Sequence, residues 1–311
     1  MIICAVGVFI DISVITVAPI ALAIGKKSGY HKEALLLAMI GGGKAGNIIS
    51  PNPNTIAVSE AFKVDLTSLM MKNFISAICA VVVTILLSTM LSKKQGVQVT
   101  ENDLEQKEDK NLPSFIQAVA GPVVVVILLA LRPVASIVID PLIALPVGGV
   151  VCALACGQIK NIREYAEFGL GKVVGVSVLL IGTGTIAGII KASALQYDVV
   201  HILKMANMPA FLLAPIAGIL MAGATASTTA GATIGAQTFA GTLIKSGVFA
   251  LSAGAMVHAG ATVIDSLPHG SFFHATGGAA GLEIKERMKL IPYEMCVGLT
   301  STVVAVMMYV I

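Results

Sequence analysis

The sequence has no tryptophan and very little charge. Only 12% of its 311 residues are Asp, Glu, Lys or Arg, and 56% are hydrophobic, whereas soluble domains carry about 25% charged residues. This deficit excludes an ordinary soluble protein and predicts an all-α polytopic membrane protein. Because tryptophan is absent, tyrosine, lysine and arginine are left to anchor the helices at the membrane interfaces.

Other absences narrow the function. The net charge of +3 is small and spread over the loops, so no nucleic-acid partner is predicted. There is no G-x-S-x-G nucleophile motif and no H-E-x-x-H metal motif. The five cysteines lie in or beside apolar segments and are interpreted as buried filler. We therefore predict no catalytic residue, no metal site, no cofactor and no enzyme activity.

What the sequence has instead is long apolar stretches separated by basic loops. The stretches long enough to span a bilayer include Ile2–Ile24, Leu69–Leu91, Ile137–Cys156 and Ile291–Ile311. Lysine and arginine concentrate in Gly25–Glu33, Lys93–Pro113, Gln158–Phe168 and Leu282–Leu290. The positive-inside rule predicts that these four loops are cytoplasmic in a multi-pass protein of the plasma (inner) membrane.

The loop 93–113 is the only long hydrophilic stretch, and it mixes lysines with acidic residues. That composition is typical of a solvated linker. It divides the chain into a front part, residues 1–92, and a back part, residues 114–311. Within the back part, Gly169–Ile190 is so rich in glycine that we predict a re-entrant hairpin or a broken helix there.

Three polar segments interrupt the apolar pattern, and the most informative is Ala222–Gln237. It contains five Ser or Thr and three Gly, has no charge, and continues directly from an apolar run. Irregular backbone at membrane depth is tolerated only inside protein or beside a water-filled cavity, and transporters use interrupted helices to bind substrate. We predict a substrate site here that includes Thr225, Ser227 and Thr228. The alternative is tight helix packing through small residues.

The second polar segment is Gly41–Thr55, with three successive glycines and two prolines. Both residue types disfavour a helix, so unwound backbone is predicted. The alternative is an ordinary external loop. Donor side chains beside unwound backbone suit an anionic substrate. The predicted donors are Lys44, Asn47, Asn52, Asn54 and Thr55.

The third polar segment is His258–Gly278, which contains Asp265 and three histidines. Ionisable residues inside a membrane are costly and mark ion or proton pathways. Asp11, which lies within the first apolar stretch, belongs to the same category. We predict that Asp265 and Asp11 carry the coupling proton. The histidine spacing matches no helical ligand pattern for zinc.

Several short motifs follow one another along the chain, including Phe9-Ile10-Asp11, Ser50-Pro51-Asn52-Pro53-Asn54-Thr55, the Gly182–Gly188 cluster, Ala224-Thr225-Ala226-Ser227-Thr228 and Ile264-Asp265-Ser266. Their order resembles that of the gluconate:proton symporter (GntP) family, part of the wider ion transporter superfamily, and the resemblance covers nearly the whole chain. The resemblance implies two inverted repeats, each with a re-entrant hairpin and a broken helix that meet at a central substrate site. Ser266 is predicted to bind substrate at this site. On this mapping residues 1–92 form an incomplete first repeat and residues 114–311 the second. Met1 leads straight into an apolar segment, so we expect the chain to lack the start of a longer protein.

The resemblance predicts a proton-coupled symporter of a small organic anion such as gluconate or a related hydroxy-carboxylate. Two histidines of the family's motifs are replaced here by Asn52 and Thr262, so gluconate itself does not follow. A Na⁺-coupled carboxylate transporter, a Na⁺/H⁺ antiporter and an inactive fragment stay open as alternatives. Homodimer formation also stays open.

Overall fold

Every regular element in the described part of the chain is a helix. The computed structural model describes residues 1–104, 113–135, 137, 139–205 and 207–311, so part of the predicted linker 93–113 lies outside the described residues. The chain forms two compact units, Met1–Glu105 with Gly182–Ile311, and Gln106–Ile181.

The unit Met1–Glu105 with Gly182–Ile311 contains the polar segments singled out in the sequence. Its helices in the front part are α1 Ile2–Ala5, α2 Ile10–Ser28, α3 Lys32–Asn47, α4 Pro53–Phe62, α5 Leu66–Lys72 and α6 Phe74–Ser92. In the back part they are α10 Leu195–Met205, α11 Leu213–Thr225, α12 Thr228–Lys245, α13 Ala250–Gly260, α14 Ser271–Ala279, α15 Ile284–Met288 and α16 Ile291–Val310.

The unit Gln106–Ile181 contains α7 Phe115–Ala135, α8 Pro141–Ala155 and the first part of α9 Ile162–Ala192. Helices α7 and α8 pack closely, with Gly121 of α7 against the carbonyl of Gly148 in α8. Helix α9 is continuous for 31 residues. The predicted break within Gly169–Ile190 is therefore wrong, since the helix continues through these glycines.

The three successive glycines of the segment 41–55 lie inside α3 and do not break it. A Cβ atom on Gly41 would come within 2.3 Å of the Thr84 side chain of α6, and one on Gly43 within 2.5 Å of the Ile10 side chain of α2. These glycines let neighbouring helices approach, as small residues do in membrane proteins. The predicted unwound backbone is consequently confined to residues 48–52, between α3 and α4.

Helices α11 and α12 form a tight hairpin. Gly231 lies against Ala222, and Gly235 lies against Ala217, so the two helices run antiparallel. Only two residues join them: Ala226, with the left-handed φ of 46° and ψ of 41°, and Ser227, whose hydroxyl accepts a hydrogen bond from the Ala230 N–H. The small residues of the segment 222–237 thus pack one helix on the other, and its irregular part is the hairpin tip.

One order of elements occurs twice. A broken helix, a short helix and a long apolar helix follow one another as α3–α4, α5, α6 and again as α13–α14, α15, α16. The two long helices run antiparallel, because Lys72 before α6 reaches the Met308 carbonyl at the end of α16, while Lys94 after α6 donates to the Tyr293 hydroxyl at its start. Opposite directions for corresponding helices are what an inverted repeat requires.

By length and composition, two helical segments of the described residues are suited to cross a membrane, namely Phe74–Ser92 and Ile284–Val310. Shorter apolar helices occur at Ile116–Leu128, Ile143–Ala155 and Ala210–Thr225. The predicted span Ile2–Ile24 is interrupted at residues 6–9, between α1 and α2. Breaks of this kind explain why the predicted crossings do not all appear as long helices.

Three of the four loops predicted to be cytoplasmic meet at one end of this unit. The Lys32 ammonium donates to Asp103 Oδ1 (2.6 Å) and to the Gly281 carbonyl (3.1 Å), which links the loop 25–33 to residues 93–104 and to the residue just before the loop 282–290. Partial burial raises the pKa of Asp103, but the hydrogen bonds from Lys32 and Thr100 outweigh this effect and leave the pKa below its ordinary value. The three loops therefore share one face, while the identity of that face stays a prediction.

Candidate functional site

A buried ion pair joins the two broken helices. The Lys44 ammonium at the end of α3 donates to Asp265 Oδ1 (2.6 Å) and to the Thr262 carbonyl (2.7 Å), both in the irregular residues 261–270 between α13 and α14. Each side chain of the pair is only 1% exposed. Residues predicted separately from two polar segments thus form one site.

The hairpin tip between α11 and α12 also contacts the Asp265 carboxylate. Thr228 Oγ1 donates to Asp265 Oδ2 (2.6 Å), and Ser266 Oγ donates to Oδ1 (2.9 Å). Thr228 is the first residue of α12, so the carboxylate also lies at the positive end of a helix dipole. Both oxygens of the Asp265 carboxylate therefore accept hydrogen bonds within the protein.

The depth of the pair follows from helix geometry. Lys44 lies about 18 Å along α3 from Lys32, since each helical residue advances about 1.5 Å. Lys32 belongs to the basic face described above, and the apolar layer of a bilayer is about 30 Å thick. With the loops of this face at a membrane surface, as the positive-inside rule predicts, the ion pair lies inside the apolar layer, where the removal of either partner would leave an uncompensated charge.

A second, uncharged cluster lies at the break between α3 and α4. The Asn52 amide donates to Asn47 Oδ1 (2.6 Å), and the Asn54 amide donates to the same oxygen (3.2 Å). Asn52 Oδ1 caps α4 by accepting from the Thr55 N–H (3.0 Å), and Pro53 occupies the first helical turn, where its missing N–H costs nothing. All of these predicted site residues are buried, and they come together as one network.

Two predicted hydroxyls make local bonds at the hairpin tip. Thr225 Oγ1 donates to the Met221 carbonyl (2.8 Å), and Ser227 is the N-cap of α12. Both residues are half-buried. The structure places them beside Thr228 but does not join them to the Asp265 carboxylate.

Asp11 lies apart from the ion pair. It belongs to the first turn of α2 and is half-buried, and its Oδ1 accepts a hydrogen bond from the neighbouring Ile12 N–H. Its position at the start of a helix follows from the interruption at residues 6–9. The described hydrogen bonds of Asp265 do not include it.

Sequence reasoning missed a second buried ion pair. Arg287 of α15 pairs with Glu294 of α16 through both guanidinium nitrogens, the second at 3.2 Å from Oε2. The guanidinium also lies 4.9 Å from the centre of the Phe273 ring, a cation–π contact. Its sequence signal was a glutamate inside the predicted span Ile291–Ile311, seven residues after an arginine of a basic loop.

Gly298 of α16 supports the irregular backbone that carries Asp265. A Cβ at this position would come within 2.4 Å of the Thr262 carbonyl and 2.6 Å of Val263 Cα. We expect Gly298→Ala to lower stability by about 1–3 kcal/mol, as overpacking does, and to lower the melting temperature in detergent. Gly278→Ala is the matched control, because nothing lies within 4 Å of its Cβ position. Equal melting temperatures for the two variants would contradict this close packing.

Comparison with known proteins agrees with the architecture. The whole chain, residues 1–311, matches the GntP family permeases. It is also 51% identical over 309 residues to a protein of Haemophilus influenzae described as an uncharacterized transporter, a match covering 99% of this chain and 74% of the relative. No solved structure gives a significant match. The predictions of a polytopic all-α membrane protein, of a transporter and of no enzyme activity are confirmed, and the chain belongs to the GntP permease family.

Proposed function

We propose that this permease is a proton-coupled symporter of a small organic anion, such as gluconate or a related hydroxy-carboxylate, in the inner membrane. The observation that carries the proposal is the buried Lys44–Asp265 pair, held between two broken helices and a hairpin tip. The Lys44 ammonium can bind an anionic substrate by exchanging the Asp265 carboxylate for the carboxylate of the substrate.

Charge balance couples the proton to the anion. The resting site contains one positive and one negative side chain, so it is neutral. An anion on Lys44 would make the site negative unless Asp265 takes up a proton, and a proton alone would leave Lys44 unpaired. Leaving one charge of a buried pair uncompensated costs about 3–5 kcal/mol, which disfavours either half-loaded state by roughly two to four orders of magnitude.

The proposed sequence of events uses the contacts already described. A proton binds Asp265, Lys44 turns to the substrate carboxylate, and Thr228 at the hairpin tip is released from the aspartate. Movement of the hairpin then exposes the loaded site to the other side of the membrane, and proton and anion leave together. Thr225, Ser227 and Ser266 line this path in our proposal, and Asn47, Asn52, Asn54 and Thr55 form its uncharged wall.

This scheme predicts electroneutral transport of one proton with one monoanion. In proteoliposomes, an inward proton gradient should drive uptake of radiolabelled gluconate or glycerate. Clamping the membrane potential with valinomycin and potassium should leave the initial rate unchanged, because no net charge crosses.

The same vesicles distinguish the alternatives. Uptake that needs a sodium gradient would favour Na⁺ coupling, and proton movement driven by sodium without any anion would favour an antiporter. A rate that rises steeply with membrane potential would contradict the neutral site. Vesicles without protein provide the baseline for passive leakage.

A further inference from the structure

One buried histidine of this unit is not used by the proposed mechanism. His258, near the end of α13, is fully buried, and neither of its ring nitrogens has a hydrogen-bond partner among the described residues. A neutral imidazole has one donor and one acceptor. Buried polar groups are nearly always bonded, and each exception needs an explanation.

The register between α13 and α4 shows what His258 faces. A Cβ on Gly254 would lie 3.2 Å from Val58 and 3.3 Å from Phe62, so this face of α13 packs on α4. His258 is one turn further along the same face. Since Lys44 at the end of α3 reaches Thr262 just beyond α13, the end of α13 lies at the level where α4 begins.

Asn54 lies at that beginning of α4, one turn before Val58. Its Oδ1 atom is buried and has no hydrogen-bond partner among the described residues, and the same holds for Nδ2 of Asn47, to which Asn54 is bonded. His258 and the two asparagine amides therefore offer two donors and two acceptors that do not satisfy one another. A third group is needed to bond them.

The repeated order of elements gives these groups a counterpart. Lys44 comes three residues before the end of α3 and reaches across to the break after α13. His258 comes two residues before the end of α13 and faces the break after α3. Each break thus receives one polar side chain from the opposite broken helix. Lys44 has hydrogen-bond partners there, whereas His258 has none among the described residues.

We propose that His258, Asn54 and Asn47 form a second subsite, which binds hydroxyl groups of the substrate while Lys44 binds its carboxylate. This inference rests on the proposed function and assigns residues to the hydroxyl groups of its substrate. The groups are uncharged and combine donors with acceptors, which suits an alcohol, itself both donor and acceptor. A carboxylate would instead find acceptors facing it.

The test uses matched pairs of acids, gluconate with hexanoate and glycerate with propionate. Dissociation constants are measured by calorimetry on the full chain in nanodiscs. His258→Leu should weaken gluconate or glycerate by about 10- to 100-fold, the loss expected for buried polar groups without partners, and leave hexanoate and propionate unchanged. His258→Gln, which keeps a donor and an acceptor, should recover part of the affinity.

Stability separates this role from a structural one. Replacing an unpartnered buried polar group by an apolar one is neutral or stabilising, so His258→Leu should keep or raise the melting temperature. His269→Leu is the control, because His269 is exposed. Equal weakening of both members of a pair, or no weakening, would overturn the hydroxyl subsite and leave the proposed symport intact. If no carboxylate bound the unaltered protein, both proposals would fail.

Discussion

Asp265→Asn is expected to abolish accumulation of substrate while exchange of substrate across the membrane continues. Asparagine resembles the protonated acid in shape and carries no charge, so Lys44 loses its resting partner. The substrate carboxylate then becomes the only counter-ion for a buried ammonium, and an empty site costs about 3–5 kcal/mol. The variant should bind the anion tightly and carry it in both directions. Its empty binding site should fail to reorient across the membrane.

Concentrative uptake and counterflow are measured side by side in the same vesicles. Net uptake driven by a proton gradient should fall by at least about 100-fold, the factor that corresponds to roughly 3 kcal/mol, and counterflow should stay near the unaltered rate. Asp65→Asn is the matched control, because Asp65 caps α5 by accepting from the Ser68 N–H and asparagine caps equally well. An Asp265→Asn variant that still concentrates substrate would remove Asp265 from the coupling step.

Lys44→Met should remove both uptake and counterflow and should also destabilise the protein. Methionine has a similar length but no charge, so Asp265 is left buried with only hydroxyl donors. Breaking a buried pair in this way costs about 3–5 kcal/mol, and the melting temperature should fall accordingly. Substrate binding should be lost because no cation faces the carboxylate.

The double variant Lys44→Met with Asp265→Asn separates folding from function. Removing both charges eliminates the uncompensated carboxylate, so stability should return close to that of the unaltered protein. Transport and substrate binding should stay absent. Recovery of transport in the double variant would show that the pair is only structural and would contradict the proposed exchange of partners on Lys44.

The sequence predicted the constituents of the site better than their arrangement. Low charge and long apolar runs were sufficient for the polytopic class. The cost of ionisable residues in a membrane singled out Asp265, and Lys44 was predicted as a donor beside unwound backbone. Their pairing joins residues 221 positions apart, and no local pattern reports a contact of that length. The unpartnered state of His258 depends in the same way on the register between α13 and α4.

Glycine caused the clearest errors. Gly41–Gly43 and the glycines of α9 were interpreted as breaks because glycine disfavours isolated helices. In the structure the former are places where α2 and α6 approach α3. Glycine can either break a helix or allow a second helix to pack closely against it. Only the presence of a neighbouring helix determines which of the two roles a glycine has. Pro53 was a correct signal for the break, since its missing N–H costs nothing in the first turn of α4, but Pro19 and Pro146 lie inside α2 and α8.

The antiparallel arrangement of α6 and α16 has a consequence for synthesis of the protein. As the chain leaves the ribosome, the insertion machinery must thread these two segments in opposite senses. Helix α6 is followed by Lys93 and Lys94, whereas α16 is preceded by Lys285, Arg287 and Lys289. Retention of positive charge on the side of synthesis would orient each helix correctly by itself. A duplicated copy of α6 with its basic residues after the helix would therefore insert in the orientation of α6. To insert in the orientation of α16, the copy would need its basic residues before the helix instead.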